Sequence, residues 1–194
     1  MRRVLIVGVG GIGSYLIPLL AKTGMYQLHI ADPDTVEEKN ICSQNFGVED
    51  IGNYKVDAMI TLVAKQYSIK ASSRFPVLVE NQITGYDLIV CCADNLDVRR
   101  LIYRKGFQDE CSAKWLDLRA QGRNGAIISY LTDPKLCDTF LTGPKGSFSC
   151  QGEADTDNKG NIHFTHTAIA GIGAQWIQRW FNEEEVKDKM VINI

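Results

Sequence analysis

Gly8, Gly10, Gly11 and Gly13 follow directly on the apolar run Val4-Leu5-Ile6-Val7. That order of residue types is suited to holding a phosphate. In a strand–turn–helix of this kind one glycine makes the tight bend and one lets backbone N–H groups approach the anion. A third lets the helix pack closely on the strand. The helix start then faces the anion with its partial positive charge. Asp32 stands nineteen positions after Gly13, at the expected end of a second strand, where an acid can hold ribose hydroxyls. The plain alternative is that Asp32, followed by Pro33, ends a strand in an Asx-type turn. Asp94 follows a second strongly apolar run, Tyr86 to Cys92, and is either a ligand group or the N-cap of the next helix. Gly8, Asp32 and Asp94 all fall at the carboxyl ends of strands, where ligands collect in an open parallel sheet.

The elements that must position these residues are legible in hydrophobic spacing. Four aliphatic residues in a row suit a strand buried on both faces. Residues 11–23 predict a helix with Ile12, Tyr15, Leu16, Leu19 and Leu20 inward, distorted at Pro18 and stopped by Gly24. Tyr26 to Ala31 predicts the second strand. Residues 35–54 read as a polar loop with at most a short helical turn, and a loop of that length is usually functional. A helix is predicted from Lys55 to Gln66, a strand near Ser68 to Ser73, a strand over Tyr86 to Cys92, and a basic helix carrying Arg99, Arg100, Arg104 and Lys105. Ala113 to Leu118 and Gly125 to Leu131 read as strands joined through Gly122-Arg123-Asn124-Gly125, an antiparallel hairpin partner. Residues 132–162 predict a long exposed loop. Thr165 to Phe181 predicts a helix with Ile169, Ile172, Trp176, Ile177 and Trp180 at core spacing, and Lys189 to Ile194 a further strand or docking segment. The fold class expected is α/β: a Rossmann-like three-layer fold with a mixed, mostly parallel sheet, forming one domain over 1–194.

Composition narrows the function classes. The chain has 194 residues, 45% hydrophobic and 23% charged, with formal net charge -2. That is enough for one substantial core and offers no basic surface for nucleic acid. No apolar run reaches a membrane span, and Met1-Arg2-Arg3 leads straight into the first strand, so no membrane partner and a cytoplasmic location are expected. The cysteines, Cys42, Cys91, Cys92, Cys111, Cys137 and Cys150, lack paired metal spacing and read as reduced thiols. Cys91 and Cys92 behave as small hydrophobes. No structural zinc is expected, and His163 and His166 read as helix-start or surface residues.

Several separated motifs, taken in order, resemble the ubiquitin-activating-enzyme superfamily, whose bacterial members include ThiF, MoeB and HesA. They are Gly8-x-Gly10-Gly11-x-Gly13, Asp32-Pro33-Asp34-Thr35-Val36, Asn40-Ile41-Cys42-Ser43-Gln44, Gly52-Asn53-Tyr54-Lys55 and Cys92-Ala93-Asp94-Asn95 with Arg99. The resemblance implies adenylation of the C-terminal carboxylate of a small ubiquitin-like or sulfur-carrier protein, with ATP and magnesium. It implies a nucleotide site at Gly8, Gly10, Gly11, Gly13, Asp32, Asp34, Asn40, Gln44, Lys55, Asp94 and Asn95. Within that site Asp32 would hold the ribose, Asn40 would sit near the phosphates, Lys55 would neutralise phosphate charge and Asp94 would hold magnesium. Lys55 also has a plain reading as a solvated first-turn residue. Cys150 lies roughly where some relatives place an acyl- or sulfur-accepting thiol, and a thiolate there would be a competent nucleophile. Relatives pair, so a homodimer or heterodimer is expected.

Two features depart from that pattern. The family arginine of Asn-Leu-x-Arg-Gln is Ser43 here, and the N-terminal segment that supplies another arginine in many relatives is not part of this sequence. Arg119 and Arg123 are candidates to replace that charge, as is a partner chain. The alternative function is therefore a catalytically impaired pseudoenzyme or heterodimer subunit that keeps the fold, with or without the nucleotide. A third, an NAD-dependent oxidoreductase, follows from the glycine turn and Asp32 alone. A P-loop ATPase is excluded because Gly-x-x-x-x-Gly-Lys-Ser/Thr is absent.

Overall fold

Alternate residues of the first strand, β1 (Arg2–Val7), pack on opposite faces. Val4 and Ile6 enter one apolar cluster, Leu5 and Val7 the other. Burial on both faces is what a continuous aliphatic run requires. In the computed structural model, which describes residues 1–67, 74–75, 83–108, 114–142 and 162–194, β1 lies inside a seven-stranded sheet of order β3-β2-β1-β4-β5-β6-β7. The other strands are β2 (Tyr26–Ala31), β3 (Arg74–Phe75), β4 (Leu88–Cys91), β5 (Lys114–Gln121), β6 (Asn124–Ser129) and β7 (Lys189–Asn193). β3, β2, β1, β4 and β5 run parallel, while β6 pairs antiparallel with both β5 and β7. This is the mixed, mostly parallel sheet expected.

Helices cover both faces. α1 (Gly13–Thr23), α2 (Lys55–Tyr67) and α5 (Thr165–Phe181) contribute to the cluster around Leu16, Leu28 and Trp176. α3 (Leu96–Gln108) and α4 (Pro134–Phe140) contribute to the cluster around Tyr103, Trp115 and Cys137. The bounds of α5 and β2 match the sequence reading. α1 begins two residues later than expected, and Leu19 is exposed while Ile17 and Pro18 are buried. The inward face is thus rotated from the one expected. Residues 35–54 contain two short 3-10 turns, Glu38–Asn40 and Val48–Asp50. The loop expected over 132–162 is corrected at its start. α4 begins there, with Pro134 at its first turn and Asp133 as N-cap accepting from Lys135 N, a favourable helix opening. The rest of that loop and the strand expected at 68–73 lie outside the described residues.

The topology creates the site. From β1 the chain moves outward to β2 and β3, then returns on the other side of β1 to β4. The strand order therefore reverses between β1 and β4, and open α/β sheets form a ligand crevice beyond the strand ends at such a switch point.

Candidate functional site

The glycine turn occupies that switch point. Gly8 has a φ of 95°, left-handed backbone that a side chain disfavours. A Cβ on it would lie 2.6 Å from Ala93 N, so the chain leaving β4 presses directly on the turn. Gly13 is closed by the turn itself, because a Cβ there would overlap the Gly8 carbonyl oxygen. Gly10 differs: the nearest atom to a Cβ there is Gln44 Nε2 at 4.0 Å. Packing therefore demands glycine at 8 and 13, while position 10 opens onto space. Gly11 lies between them in the turn that precedes α1. α1 starts with no side-chain cap and no acid in its first turn. Ser14 N, Tyr15 N and Leu16 N already donate to the Gly10 and Ile12 carbonyls, so it is the glycine turn ahead of them whose backbone can meet an anion.

Asp32 ties the end of β2 to this turn. Its Oδ2 accepts from Val9 N at 2.6 Å and its Oδ1 from Asp34 N at 2.8 Å. The second bond is the Asx-type turn anticipated for Asp-Pro. The residue is only 8% exposed. Burial pushes its carboxyl pKa above the ordinary value, while the Val9 and Asp34 N–H groups and the Lys55 charge act in the opposite direction. Each carboxylate oxygen keeps a further lone pair for a hydroxyl donor.

Lys55 opens α2. Its backbone N donates to Asp34 O at 2.9 Å and its Nζ to Asp34 Oδ2 at 3.0 Å. With 6% exposure, it is not the solvated first-turn residue that its position allowed. The segment from 35 to 54 closes on itself through a Thr35–Tyr54 bridge, and this returns Lys55 to the end of β2. The Asp34 side chain is 61% exposed, so the ion pair has a buried cation and an open anion. Within the same segment Asn40 is buried, its Oδ1 accepting from Glu37 N at 2.9 Å. Gln44 lies against the turn with Oε1 buried and meeting no donor among the described residues. Ser43 is buried and uncharged, and the His166 ring bonds to its backbone.

Asp94 follows Ala93 and is exposed. The N-cap role allowed for it belongs instead to Asn95, whose Oδ1 accepts from Asp97 N at 2.8 Å and Val98 N at 3.3 Å. Gly8, Gly10, Asp32, Asp34, Gln44, Lys55 and Asp94 therefore gather at one edge of the sheet. Cys150 lies outside the described residues. Cys91 and Cys92 are interior thiols, and burial pushes Cys91 up to about 12.

Beneath Ala93 and Asp94 lies a polar group that sequence reasoning did not identify. Arg99 donates to Asp117, and Asp117 also accepts from Tyr103 and Arg119. Arg119, a candidate replacement for the missing site charge, is turned inward to Asp117 and to the Phe140 carbonyl. The available clue was Asp117 itself, a lone acid inside Trp115-Leu116-Asp117-Leu118, since an acid buried in an apolar strand requires partners. Among the described residues no group of three or more His, Cys, Asp or Glu is arranged to hold a metal by itself, and no helix is long and apolar enough to cross a membrane.

Sheet order and glycine turn define a Rossmann-like α/β protein. A family model described as "ThiF family" matches residues 1–192, and the chain belongs to that family. "Adenylyltransferase and sulfurtransferase uba4" of Pyricularia oryzae is 34% identical over 105 residues, covering 51% of this chain and 21% of that protein. "Ubiquitin-like modifier-activating enzyme 5" of Bombyx mori is 30% identical over 132 residues, covering 60% of this chain and 33% of that protein. The chain thus spans about a fifth to a third of these relatives' length. Among solved structures, E. coli MccB crystallised with ATP aligns with a TM-score of 0.74 at 16% identity, over 100% of this chain and 60% of that one. At that identity the likeness is one of fold.

Proposed function

We propose that this chain binds ATP with magnesium at the crevice between β1 and β4 and activates the C-terminal carboxylate of a small ubiquitin-like or sulfur-carrier protein as an adenylyltransferase. The observation that carries this reading is the meeting of the glycine turn, the Asp34–Lys55 pair and Asp94 at one sheet edge in a ThiF-family chain. The names of the relatives support the reaction class.

The residues suit such a ligand. Position 10 leaves open space, the start of α1 has no side-chain cap, and the Gln44 amide nitrogen is the nearest side-chain atom to that space. In this reading the backbone N–H groups of the glycine turn meet the polyphosphate, and Asp32 accepts from the ribose hydroxyls while holding Val9. Lys55 shares its ammonium between Asp34 and a phosphate oxygen, which its three donors allow. Asp94 holds magnesium, and the metal supplies positive charge against the polyphosphate. Asn40 and Asn95 act from behind, fixing the two turns that face the nucleotide. Attack by a carboxylate on a phosphoryl centre spreads negative charge over the incoming and departing oxygens, so fixed positive charge at these positions lowers the barrier. Cys150 serves in this reading as an acyl or sulfur acceptor, on its sequence position alone, and pairing with a second chain supplies further cations.

One observation favours the second reading, a chain that keeps the nucleotide but has lost most of the chemistry. Position 43 is a buried serine where the family motif has arginine, and Arg119 is committed to Asp117. Arginine contacts to a transferring phosphoryl group are worth on the order of 10³ in rate. ATP–pyrophosphate exchange with candidate carrier proteins, alongside calorimetric titration of ATP and NAD, separates the readings. Exchange supports the enzyme, and ATP binding without exchange supports the impaired relative. Binding of NAD alone overturns both and favours the oxidoreductase.

A further inference from the structure

We propose that Arg99 and Asp117 are positioning residues that hold the Ala93–Asp94 turn in place and so set where the Asp94 carboxylate stands. This rests on the reading of Asp94 as the magnesium-holding acid. Arg99, on α3, is 7% exposed and donates from Nη1 to Asp117 Oδ1 at 2.7 Å. Its Nη2 donates to the Ala93 carbonyl oxygen. Asp117 is fully buried in β5, directly across from Cys91 at the end of β4. Its Oδ2 accepts from Tyr103 Oη at 2.7 Å and from Arg119 Nε at 2.8 Å. Tyr103 is itself stacked on Trp115 at 4.0 Å between ring centroids.

A guanidinium is a rigid planar fork, so fixing one arm aims the other. With Nη1 locked on a carboxylate that two other side chains, Tyr103 and Arg119, hold still, Nη2 is aimed at the carbonyl of the residue before Asp94. Ala93 N also lies close to Gly8, where an added Cβ would come within 2.6 Å of it, and two residues onward Asn95 caps α3. Asp94 is thus exposed between two pinned neighbours. Its main chain is held by its neighbours while the residue itself stays exposed beyond the end of β4. A buried ion pair is on average no better for stability than apolar packing of the same volume, so its geometric consequence at Ala93 gives it a role that packing would not fill.

The test compares ATP affinity by calorimetry with and without magnesium, in wild type, Asp94→Ala and Arg99→Lys, with thermal melts as the folding control. Lysine keeps the charge but lacks the fork, and loss of a residue that orients a metal ligand typically costs about 10-fold or more in metal affinity. The expected result is that Arg99→Lys leaves magnesium-free ATP affinity within about 2-fold and cuts the magnesium-linked gain about 10-fold, as Asp94→Ala does. An unchanged gain in Arg99→Lys, beside a lost gain in Asp94→Ala, overturns the positioning role alone. Equal weakening with and without magnesium also overturns it, because that is what a merely structural role produces. No magnesium-linked gain in wild type, or a gain intact in Asp94→Ala, overturns the reading of the site and the positioning role with it. Should Arg99→Lys fail to fold, Tyr103→Phe removes one donor from Asp117 and keeps the stack on Trp115. The same selective loss, smaller in size, is then expected, and its absence overturns the proposal.

Discussion

Alanine at Gly10 and alanine at Gly13 are chemically the same change, three residues apart, yet the structure separates their effects completely. At Gly13 the new methyl would overlap the Gly8 carbonyl oxygen. That atom belongs to a turn held by Gly8 N donating to Ala31 O at 2.8 Å and by Val9 N donating to Asp32. The atom the methyl meets is main chain rather than the far end of a flexible side chain, so the clash must be relieved by moving the backbone. Overpacking that shifts backbone costs about 1–3 kcal/mol or more, and at this chain length each kcal/mol lowers Tm by about 2–4 °C. Gly13→Ala is therefore expected to melt about 6–12 °C below wild type if the upper figure holds. At Gly10 the nearest atom to the methyl is a side-chain nitrogen at 4.0 Å and φ lies outside the left-handed region. Gly10→Ala should melt within about 2–4 °C of wild type, and a small gain is allowed because alanine restricts the unfolded chain. If the open space at position 10 is where the phosphates approach, the same methyl should weaken ATP by about 10-fold or more, equivalent to about 1.4 kcal/mol. Differential scanning fluorimetry and calorimetric ATP titration on the three proteins check both halves. Wild-type ATP affinity in Gly10→Ala would remove the phosphate cradle from this turn. An unchanged melt in Gly13→Ala would refute the packing argument.

Thiol accessibility gives an independent check. Cys91 and Cys137 are buried and held up to about 12 and about 11 by desolvation, whereas Cys42 is exposed. Iodoacetamide on the native protein should modify Cys42 well before Cys91, Cys92 or Cys137, as read by peptide mass mapping. Removing one partner of the buried pair with Asp117→Ala should cost about 3–5 kcal/mol, while Asp94→Ala at the exposed neighbour should stay within about 0.5 kcal/mol, both by urea denaturation. His29 and His166 are held below the ordinary 6.5 by burial first. The unfolded chain then takes up those protons more readily than the folded one, so their contribution is complete above pH 6.5 and is lost as pH falls through the window beneath it. Urea midpoints at pH 7.5 and 5.5 should show a loss on acidification that is smaller in His166→Gln; an equal loss in both proteins would remove His166 from that account.

Much of this protein is written in short windows. Val4 to Val7 announces a strand buried on both faces, and the glycine spacing announces the turn that follows. Asp32-Pro33 announces an Asx-type stop, and the apolar spacing of Ile169 to Trp180 gives the span of α5. Each depends on neighbours a few positions away, where periodicity and turn chemistry act, and the ordered motifs that mark the ThiF family are equally local. Tertiary structure decided the rest. Asp117 and Arg99 meet because β5 lies beside β4 with α3 packed over them, a register that no local pattern encodes. Lys55 is buried on Asp34 because the loop between them closes on itself. Leu19 faces outward because α5 and β2 select a different stripe of α1. Residues far apart in sequence pair only when strand order brings them together, and desolvation then forces each buried charge to find its partner.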